Sequence, residues 1–216
     1  FIPGEPFYRA TVTWGGPAAS THLLFGGVEL AGRTLGLIGL GHIGRTVARK
    51  ASGLGMRLLG CDPSVTEEVV LDLGIEVLSL GELLEQSDVV SLHARLTPAT
   101  RGLLGAAELA RMKRGAYLVN TARAGLVDRD ALLESLRSGH LAGAAGDVYD
   151  EEPPAPDDPL VSLPNVLPTP HIAGWTSDLA HHHSRSLIED IRRLAAGQPP
   201  LHLANPEVLR IAREIP

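Results

Sequence analysis

A glycine-rich turn between an apolar strand and a helix constrains the fold of this chain most. The strand Thr34–Ile38 runs into Gly39-Leu40-Gly41-His42-Ile43-Gly44, and a helical segment over residues 46–51 follows. The glycines of such a turn allow a tight bend, close approach of a pyrophosphate, and close packing of the helix on the strand. The free N–H groups at the helix N-terminus complement phosphate charge. A lone glycine turn could also bind nothing, but here its flanking strand and helix favour a dinucleotide-binding unit.

An acid at the end of the next strand indicates which dinucleotide is bound. The strand Arg57–Cys61 is followed by Asp62, 18 residues after Gly44. A carboxylate at this place can accept a hydrogen bond from the 2′-hydroxyl of an adenosine ribose, and it repels a 2′-phosphate. The sequence therefore predicts NAD as the cofactor.

Composition narrows the class of protein. The chain has 216 residues, 44% of them hydrophobic, and a net charge of −6 without a basic stripe. These values are enough for one sizeable core and argue against a nucleic-acid partner. No apolar run has the length of a membrane span. The single cysteine, Cys61, suits a reducing compartment, so we expect a cytoplasmic protein.

Apolar strand segments alternate with helical segments along the chain, which predicts an α/β fold with a doubly wound parallel sheet. After Asp62, the expected helices cover residues 65–73, 80–86, 108–112, 128–138 and 177–196, and the expected strands cover 75–77, 88–92, 116–119, 141–145 and 166–167. Residues 151–164 contain five prolines and are predicted to form a loop. Ligands of such sheets bind at the carboxyl ends of the strands. The polar residues expected at that edge are His93, Asn120 with Arg123, Asp147 and His171.

Three downstream motifs carry a resemblance to a known family. They are Asn120-Thr121-Ala122-Arg123-Ala124-Gly125, Asp147-Val148-Tyr149-Asp150-Glu151-Glu152-Pro153, and Thr169-Pro170-His171-Ile172-Ala173-Gly174. Together with the glycine turn, they make the chain resemble the D-isomer-specific 2-hydroxyacid dehydrogenases from about Trp14 to Val208. The resemblance implies a Rossmann-type NAD-binding domain that interconverts a D-2-hydroxy acid and a 2-oxo acid.

The resemblance also implies roles for single residues. Arg123 would bind the substrate carboxylate and carbonyl oxygen, His171 would be the general acid/base, and Glu152 would orient His171 and favour its protonated form. Asp150 and Glu151 stand beside Glu152 and are alternatives for its role. The resemblance implies cofactor contacts at Gly39, Gly41, His42, Ile43, Gly44, Asp62, Ala94, Thr121, Ala122, Arg123, Asp147, His171 and Gly174, with Asp147 on the nicotinamide amide.

The expected organisation has three parts. Residues 1–30 form a Gly/Pro-rich arm with Trp14 and Phe25 that would contact a second copy, so we expect a homodimer. Residues 31–175 form the NAD-binding domain. Residues 176–216 form a helix and tail that would return to a substrate domain, and the N-terminal substrate domain of the family is expected to be largely absent.

Two alternatives to a dehydrogenase stay open at this stage. One is an NAD(H)-binding module or sensor without turnover, and the other is a Rossmann domain for a different ligand such as S-adenosylmethionine. No metal site is expected. The consecutive residues His181-His182-His183 lie on a predicted helix, where neighbouring side chains point in different directions.

Overall fold

The computed structural model describes residues 28–155, 157–201, 203 and 205. The chain divides into two compact units, one that ends at Ala173 and one that begins at Gly174. The arm around Trp14 and Phe25, with its predicted dimer contact, lies outside the described residues, as does most of the tail after Leu201.

The first unit is built on a parallel sheet of seven strands, which confirms the predicted fold class. Its strand order is β3-β2-β1-β4-β5-β6-β7. The strands are β1 Thr34–Ile38, β2 Arg57–Cys61, β3 Glu76–Val77, β4 Val89–Leu92, β5 Tyr117–Asn120, β6 Gly143–Gly146 and β7 Val166–Pro168. The order reverses between β1 and β4, and ligands of open α/β sheets bind outside the strand ends at such a switch point.

Helices connect the strands. They are α1 His42–Gly53, α2 Glu67–Leu73, α3 Leu80–Gln86, α4 Ala106–Arg111 and α5 Arg129–Arg137, with a short 3₁₀ turn at Ala124–Leu126. Central strands are buried on both faces, as expected for a covered parallel sheet: Leu37 in β1 and Leu59 in β2 have no exposed area, and Leu118 in β5 is 1% exposed. This rigid sheet fixes the strand ends that carry the predicted site.

Predicted and observed elements agree in type and order, with shifts at their ends. Helix α2 begins at Glu67 and not at residue 65, because Thr66 is still extended and occupies the N-cap position. Asp128, the first residue of the predicted segment 128–138, caps α5, since its carboxylate accepts a hydrogen bond from the backbone N–H of Ala131 at 2.9 Å. Strand β5 extends one residue further than predicted, to Asn120.

The second unit contains one long helix, α6, over Leu179–Ala195. It ends near Gly197, which has the left-handed backbone conformation typical of a helix stop (φ 70°). The apolar side chains of Leu187, Ile191 and Leu194 on this helix are more than half exposed. Within the described part of the chain, no helix has the length and apolar character required to span a membrane.

Candidate functional site

The three glycines after β1 have three different environments. Gly39 has a φ of 94°, and a Cβ atom there would lie 2.6 Å from the backbone nitrogen of Ala94. A Cβ on Gly44 would overlap the carbonyl oxygen of Gly39, whereas a Cβ on Gly41 would have no heavy atom within 4 Å. Gly39 therefore allows the turn, Gly44 allows α1 to pack on the strand, and Gly41 leaves open space above the backbone.

The N-terminus of α1 is suited to bind an anion. Gly41 occupies the N-cap position and has no side chain to cap the helix, and the first turn contains no acidic residue. His42 and Ile43 in that turn are exposed. The first N–H groups of a helix have no partner within the helix, so here they can donate to the phosphates of a dinucleotide.

Asp62 lies beside this turn at the end of β2. Its carboxylate accepts hydrogen bonds from the backbone N–H of Leu40 at 2.7 Å and of Ser64 at 2.8 Å. These bonds attach the carboxylate to the glycine turn, and an ionised carboxylate retains further acceptor sites for a ribose hydroxyl. Together with the open space at Gly41, this arrangement fits an adenosine dinucleotide without a 2′-phosphate.

His93 follows β4 at the same edge and is only partly exposed. Its Nε2 lies 3.0 Å from the hydroxyl oxygen of Ser91, and its backbone N–H donates to the carbonyl of Ile38. Burial lowers the pKa of the His93 imidazole. The His93 backbone therefore joins the end of β4 to the last residue of β1, directly before the glycine turn, while its ring bonds to Ser91.

The loop after β5 presents Arg123 and is held by Asn120. The Asn120 carboxamide donates to the carbonyl oxygen of Arg123 at 2.9 Å and accepts from the N–H of Ala122 at 3.1 Å. The Arg123 guanidinium is exposed and uses one N–H group to bond the carbonyl oxygen of Ala122 at 2.6 Å. Because a guanidinium has five N–H donors, most of its fork remains available to an anion.

Asp147, directly after β6, is a buried carboxylate that fixes the loop around His171. It accepts from the Thr169 hydroxyl at 2.6 Å and from the backbone N–H groups of Ile172 and Ala173 at 2.9 and 2.8 Å. Burial alone raises the pKa of Asp147, but these hydrogen bonds outweigh it and hold the pKa below its ordinary value. The predicted contact of Asp147 with a nicotinamide amide stays a prediction.

Glu152 and His171 form a hydrogen-bonded pair. His171 Nδ1 lies 2.7 Å from Glu152 Oε2, and Glu152 Oε1 accepts from the backbone N–H of Tyr149 at 3.1 Å. The bond with His171, followed by the bond with Tyr149, holds the pKa of Glu152 below its ordinary value. The carboxylate at Nδ1 places the ring proton on that nitrogen and leaves Nε2 to exchange a proton with a ligand. Glu152, and not its neighbours Asp150 and Glu151, makes this contact.

Comparisons with known proteins identify the family of this chain. The family model described as the NAD binding domain of D-isomer specific 2-hydroxyacid dehydrogenases matches residues 9–173. The chain belongs to this family. A glyoxylate reductase from Korarchaeum cryptofilum is 43% identical over 185 residues, which are 86% of this chain and 56% of the relative. A D-3-phosphoglycerate dehydrogenase from Archaeoglobus fulgidus is 42% identical over 181 residues, 84% of this chain and 34% of the relative.

Solved structures agree with the assignment to the 2-hydroxyacid dehydrogenases. The apo form of D-mandelate dehydrogenase from Rhodotorula graminis aligns with a TM-score of 0.81 and 37% identity, over 90% of this chain and 58% of that one. The chain therefore spans between a third and three fifths of these relatives. NAD is the cofactor of the matched domain.

The described structure brings the predicted residues of this dehydrogenase domain to one edge of the sheet. The glycine turn and Asp62 follow β1 and β2, Ala94 follows β4, Thr121 to Arg123 follow β5, and Asp147 follows β6. Glu152 and His171 complete this set through their hydrogen bond. Gly174 lies in the second unit, so its predicted cofactor contact stays a prediction.

Sequence reasoning missed the contribution of Thr169 and Tyr149. The Thr169 hydroxyl bonds to Asp147, and the Tyr149 hydroxyl lies 2.9 Å from the carbonyl oxygen of Thr169. Both residues stand inside the motifs that carry the resemblance, but their partners are set by the pairing of β6 with β7. No group of three or more histidine, cysteine or acidic side chains among the described residues is placed to hold a metal ion.

Proposed function

We propose that the protein containing this chain is an NAD-dependent oxidoreductase that interconverts a D-2-hydroxy acid and a 2-oxo acid. The observation that carries the proposal is the 2.7 Å hydrogen bond between His171 and Glu152 at the sheet edge that also holds Arg123 and the glycine turn. Adjacent strands of a sheet lie about 4.8 Å apart, so the ends of β5, β6 and β7 can serve one small substrate.

Each of the three side chains has a distinct task in the reduction of a 2-oxo acid. The Arg123 fork binds the substrate carboxylate and polarises the carbonyl oxygen. His171 donates the proton on Nε2 to that oxygen as negative charge develops on it. Glu152 keeps the ring in the tautomer with Nδ1–H and stabilises the imidazolium before the transfer. The hydride for the carbonyl carbon would come from NADH when it is bound.

The cofactor is proposed to lie across the glycine turn. The open space at Gly41 and the exposed first turn of α1 support binding of the pyrophosphate there. Asp62 supports recognition of the adenosine ribose, and His42 and Ile43 would donate backbone N–H groups. Ala94, Thr121, Ala122 and Gly174 remain proposed contacts.

A single assay tests the function. NADH oxidation is followed by absorbance with glyoxylate, pyruvate and hydroxypyruvate, and NAD reduction with D-3-phosphoglycerate and D-mandelate, the last two chosen from the names of relatives. We expect turnover with at least one of these acids. The variant His171→Ala should abolish this turnover, whereas His181→Ala, which changes an exposed histidine of α6, should leave it unchanged.

The other outcomes of the assay separate the alternatives. NADH binding without turnover of any acid, in the full-length protein, would favour a binding module or sensor. Displacement of NADH by S-adenosylmethionine would favour a different Rossmann ligand.

We also propose a homodimer in the cytoplasm. The single cysteine of the chain, Cys61, is a free thiol, and the lack of an internal disulfide framework supports a reducing compartment. The solution mass at working concentration tests the oligomeric state, and a monomer would contradict it.

A further inference from the structure

His171 has an unusual backbone conformation that its surroundings must maintain. Its φ is 53°, and it is the sole residue other than glycine with a positive φ in the described part of the chain. A side chain makes this left-handed conformation costly, so it persists where neighbouring contacts enforce it. On the C-terminal side of His171, Asp147 binds the backbone N–H groups of Ile172 and Ala173.

On the N-terminal side of His171, the carbonyl oxygen of Thr169 helps to maintain the left-handed backbone conformation. It accepts the backbone N–H of His171 itself at 3.0 Å, which closes a turn over Thr169-Pro170-His171. The hydroxyl of Tyr149 lies 2.9 Å from the same oxygen and 3.0 Å from the carbonyl oxygen of Gly146. Tyr149 therefore fastens the turn that carries His171 to the end of β6.

Tyr149 also contacts the other member of the pair. Its backbone N–H donates to Glu152 Oε1, while Glu152 Oε2 bonds to His171. Through its hydroxyl and its amide, this one residue supports both the imidazole and the carboxylate that orients it.

The chain segment around Tyr149 is packed against other residues on only part of its surface. A cavity of about 320 Å³ lies against this segment, and Val148, Tyr149, Asp150 and Glu151 contribute to its wall. Where van der Waals contacts are missing on one side, hydrogen bonds carry more of the positional restraint. Loss of the Tyr149 hydroxyl should therefore loosen the segment.

We propose that Tyr149 is a positioning residue for the Glu152–His171 pair, an inference that rests on the proposed function of that pair. The phenol acts through the carbonyl oxygen of Thr169 and does not itself touch the substrate. The variant Tyr149→Phe keeps the ring and removes the hydroxyl, so it tests the hydrogen bonds with little change in packing.

The experiment compares Tyr149→Phe with a matched control, Tyr117→Phe, in the full-length protein with NADH. Tyr117 is the first residue of β5, so it lies at the opposite end of that strand from Asn120 and the loop that carries Arg123. Its side chain is 41% exposed, and its hydroxyl makes no hydrogen bond within the described residues. We expect Tyr149→Phe to lower kcat about two- to tenfold, the effect of one hydrogen bond, and to leave KM and NADH affinity within about twofold. Tyr117→Phe should change none of these values.

A double variant supplies a readout that a merely structural role would not move. In a Glu152→Gln background, Tyr149→Phe should cost less than about twofold, because residues that act through one contact are not additive. An unchanged kcat in Tyr149→Phe, or equal losses in Tyr117→Phe, would overturn the proposal.

A measurement without turnover separates this proposal from the function on which it rests. The ring C–H signals of His171, assigned by their loss in His171→Ala, should shift or broaden in Tyr149→Phe as they do in Glu152→Gln. Wild-type signals in Tyr149→Phe would overturn the positioning role even if the enzyme turned over. Turnover failing with every acid, while the signals respond, would reject the function and keep the structural role of Tyr149.

Discussion

The glycine turn allows stability and cofactor affinity to be perturbed separately with one added methyl group. Gly41→Ala places a Cβ where no heavy atom lies within 4 Å, at a φ of −68° that alanine adopts freely. Gly44→Ala adds the same methyl group three residues later, where it overlaps the carbonyl oxygen of Gly39. Gly41→Ala should therefore weaken cofactor binding, and Gly44→Ala should lower the stability of the fold.

The expected stability changes follow from these environments. At Gly41, a gain of about 0.4–1 kcal/mol from reduced unfolded-state entropy opposes a loss of similar size from an alanine at the N-cap. The two effects should leave the free energy of unfolding within about 0.5 kcal/mol of wild type. At Gly44, overpacking costs about 1–3 kcal/mol, which lowers Tm by roughly 2–12 °C in a chain of this size.

For Gly41→Ala we expect a large change in NADH affinity, in contrast to its small change in stability. If the pyrophosphate approaches the backbone in the open space at Gly41, a methyl group there forces it away from the N–H groups of α1. A hydrogen bond to a charged group contributes about 1.5–3 kcal/mol, so losing one weakens NADH binding about 10- to 150-fold.

The assay pairs thermal unfolding without cofactor and NADH titration by fluorescence on the same samples. We expect Gly41→Ala to melt within about 2 °C of wild type and to bind NADH at least about tenfold more weakly. Wild-type affinity in a folded Gly41→Ala protein would refute the placement of the pyrophosphate. A wild-type Tm for Gly44→Ala would refute the packing argument.

Three further predictions concern carboxylates. Asp62→Ala should shrink the preference for NADH over NADPH by about tenfold, about 1.4 kcal/mol, and an unchanged ratio of the two dissociation constants would contradict the role of Asp62. Asp128→Ala removes the N-cap of α5 and should cost about 1 kcal/mol, or about 2–4 °C in Tm by calorimetry, with NADH affinity unchanged. The pKa of Asp147 is depressed below 3.8, so its carboxylate stabilises the fold above its unfolded-state pKa and this stabilisation is lost as pH falls through the folded-state pKa. Asp147→Asn should therefore flatten the acid limb of stability in urea unfolding below about pH 5, and parallel curves for the two proteins would contradict it.

The geometry of the glycine turn and the position of Asp62 could be predicted from sequence because this part of the structure is local. The roles of Gly39, Gly41 and Gly44 depend on one turn between a strand and the next helix, and the spacing of that turn is written in consecutive residues. Asp62 belongs to the adjoining strand of the same βαβ unit. Both the conformation and the neighbours of this unit are therefore fixed within about thirty residues of chain.

The support of His171 could not be predicted in the same way. Asp147, Tyr149 and Thr169 meet because β6 pairs with β7 across a long connection, and the sequence alone does not give that register. The left-handed conformation of His171 has no decisive local signal either, because positive φ is uncommon for any residue other than glycine, even though histidine is enriched there. The observed start of α2 differs from the predicted start for a related reason. A capping residue such as Thr66 and a first helical residue look alike in a periodic sequence pattern.

The two halves of the site consequently depend on different physical features. The proposed cofactor half uses backbone geometry, so it tolerates changes of exposed side chains such as His42 and Ile43 and is sensitive to a single methyl group at a glycine. The proposed catalytic half uses carboxylates, and both Glu152 and Asp147 have a pKa below the ordinary value because they bond to the His171 loop. Each carboxylate thus remains charged across the neutral range, where an ionised Glu152 holds the imidazole in one tautomer. Protonation of Asp147 would weaken its bonds to the N–H groups of Ile172 and Ala173, so acid should loosen the loop that keeps His171 in its left-handed conformation as the pH falls through the lowered pKa of Asp147.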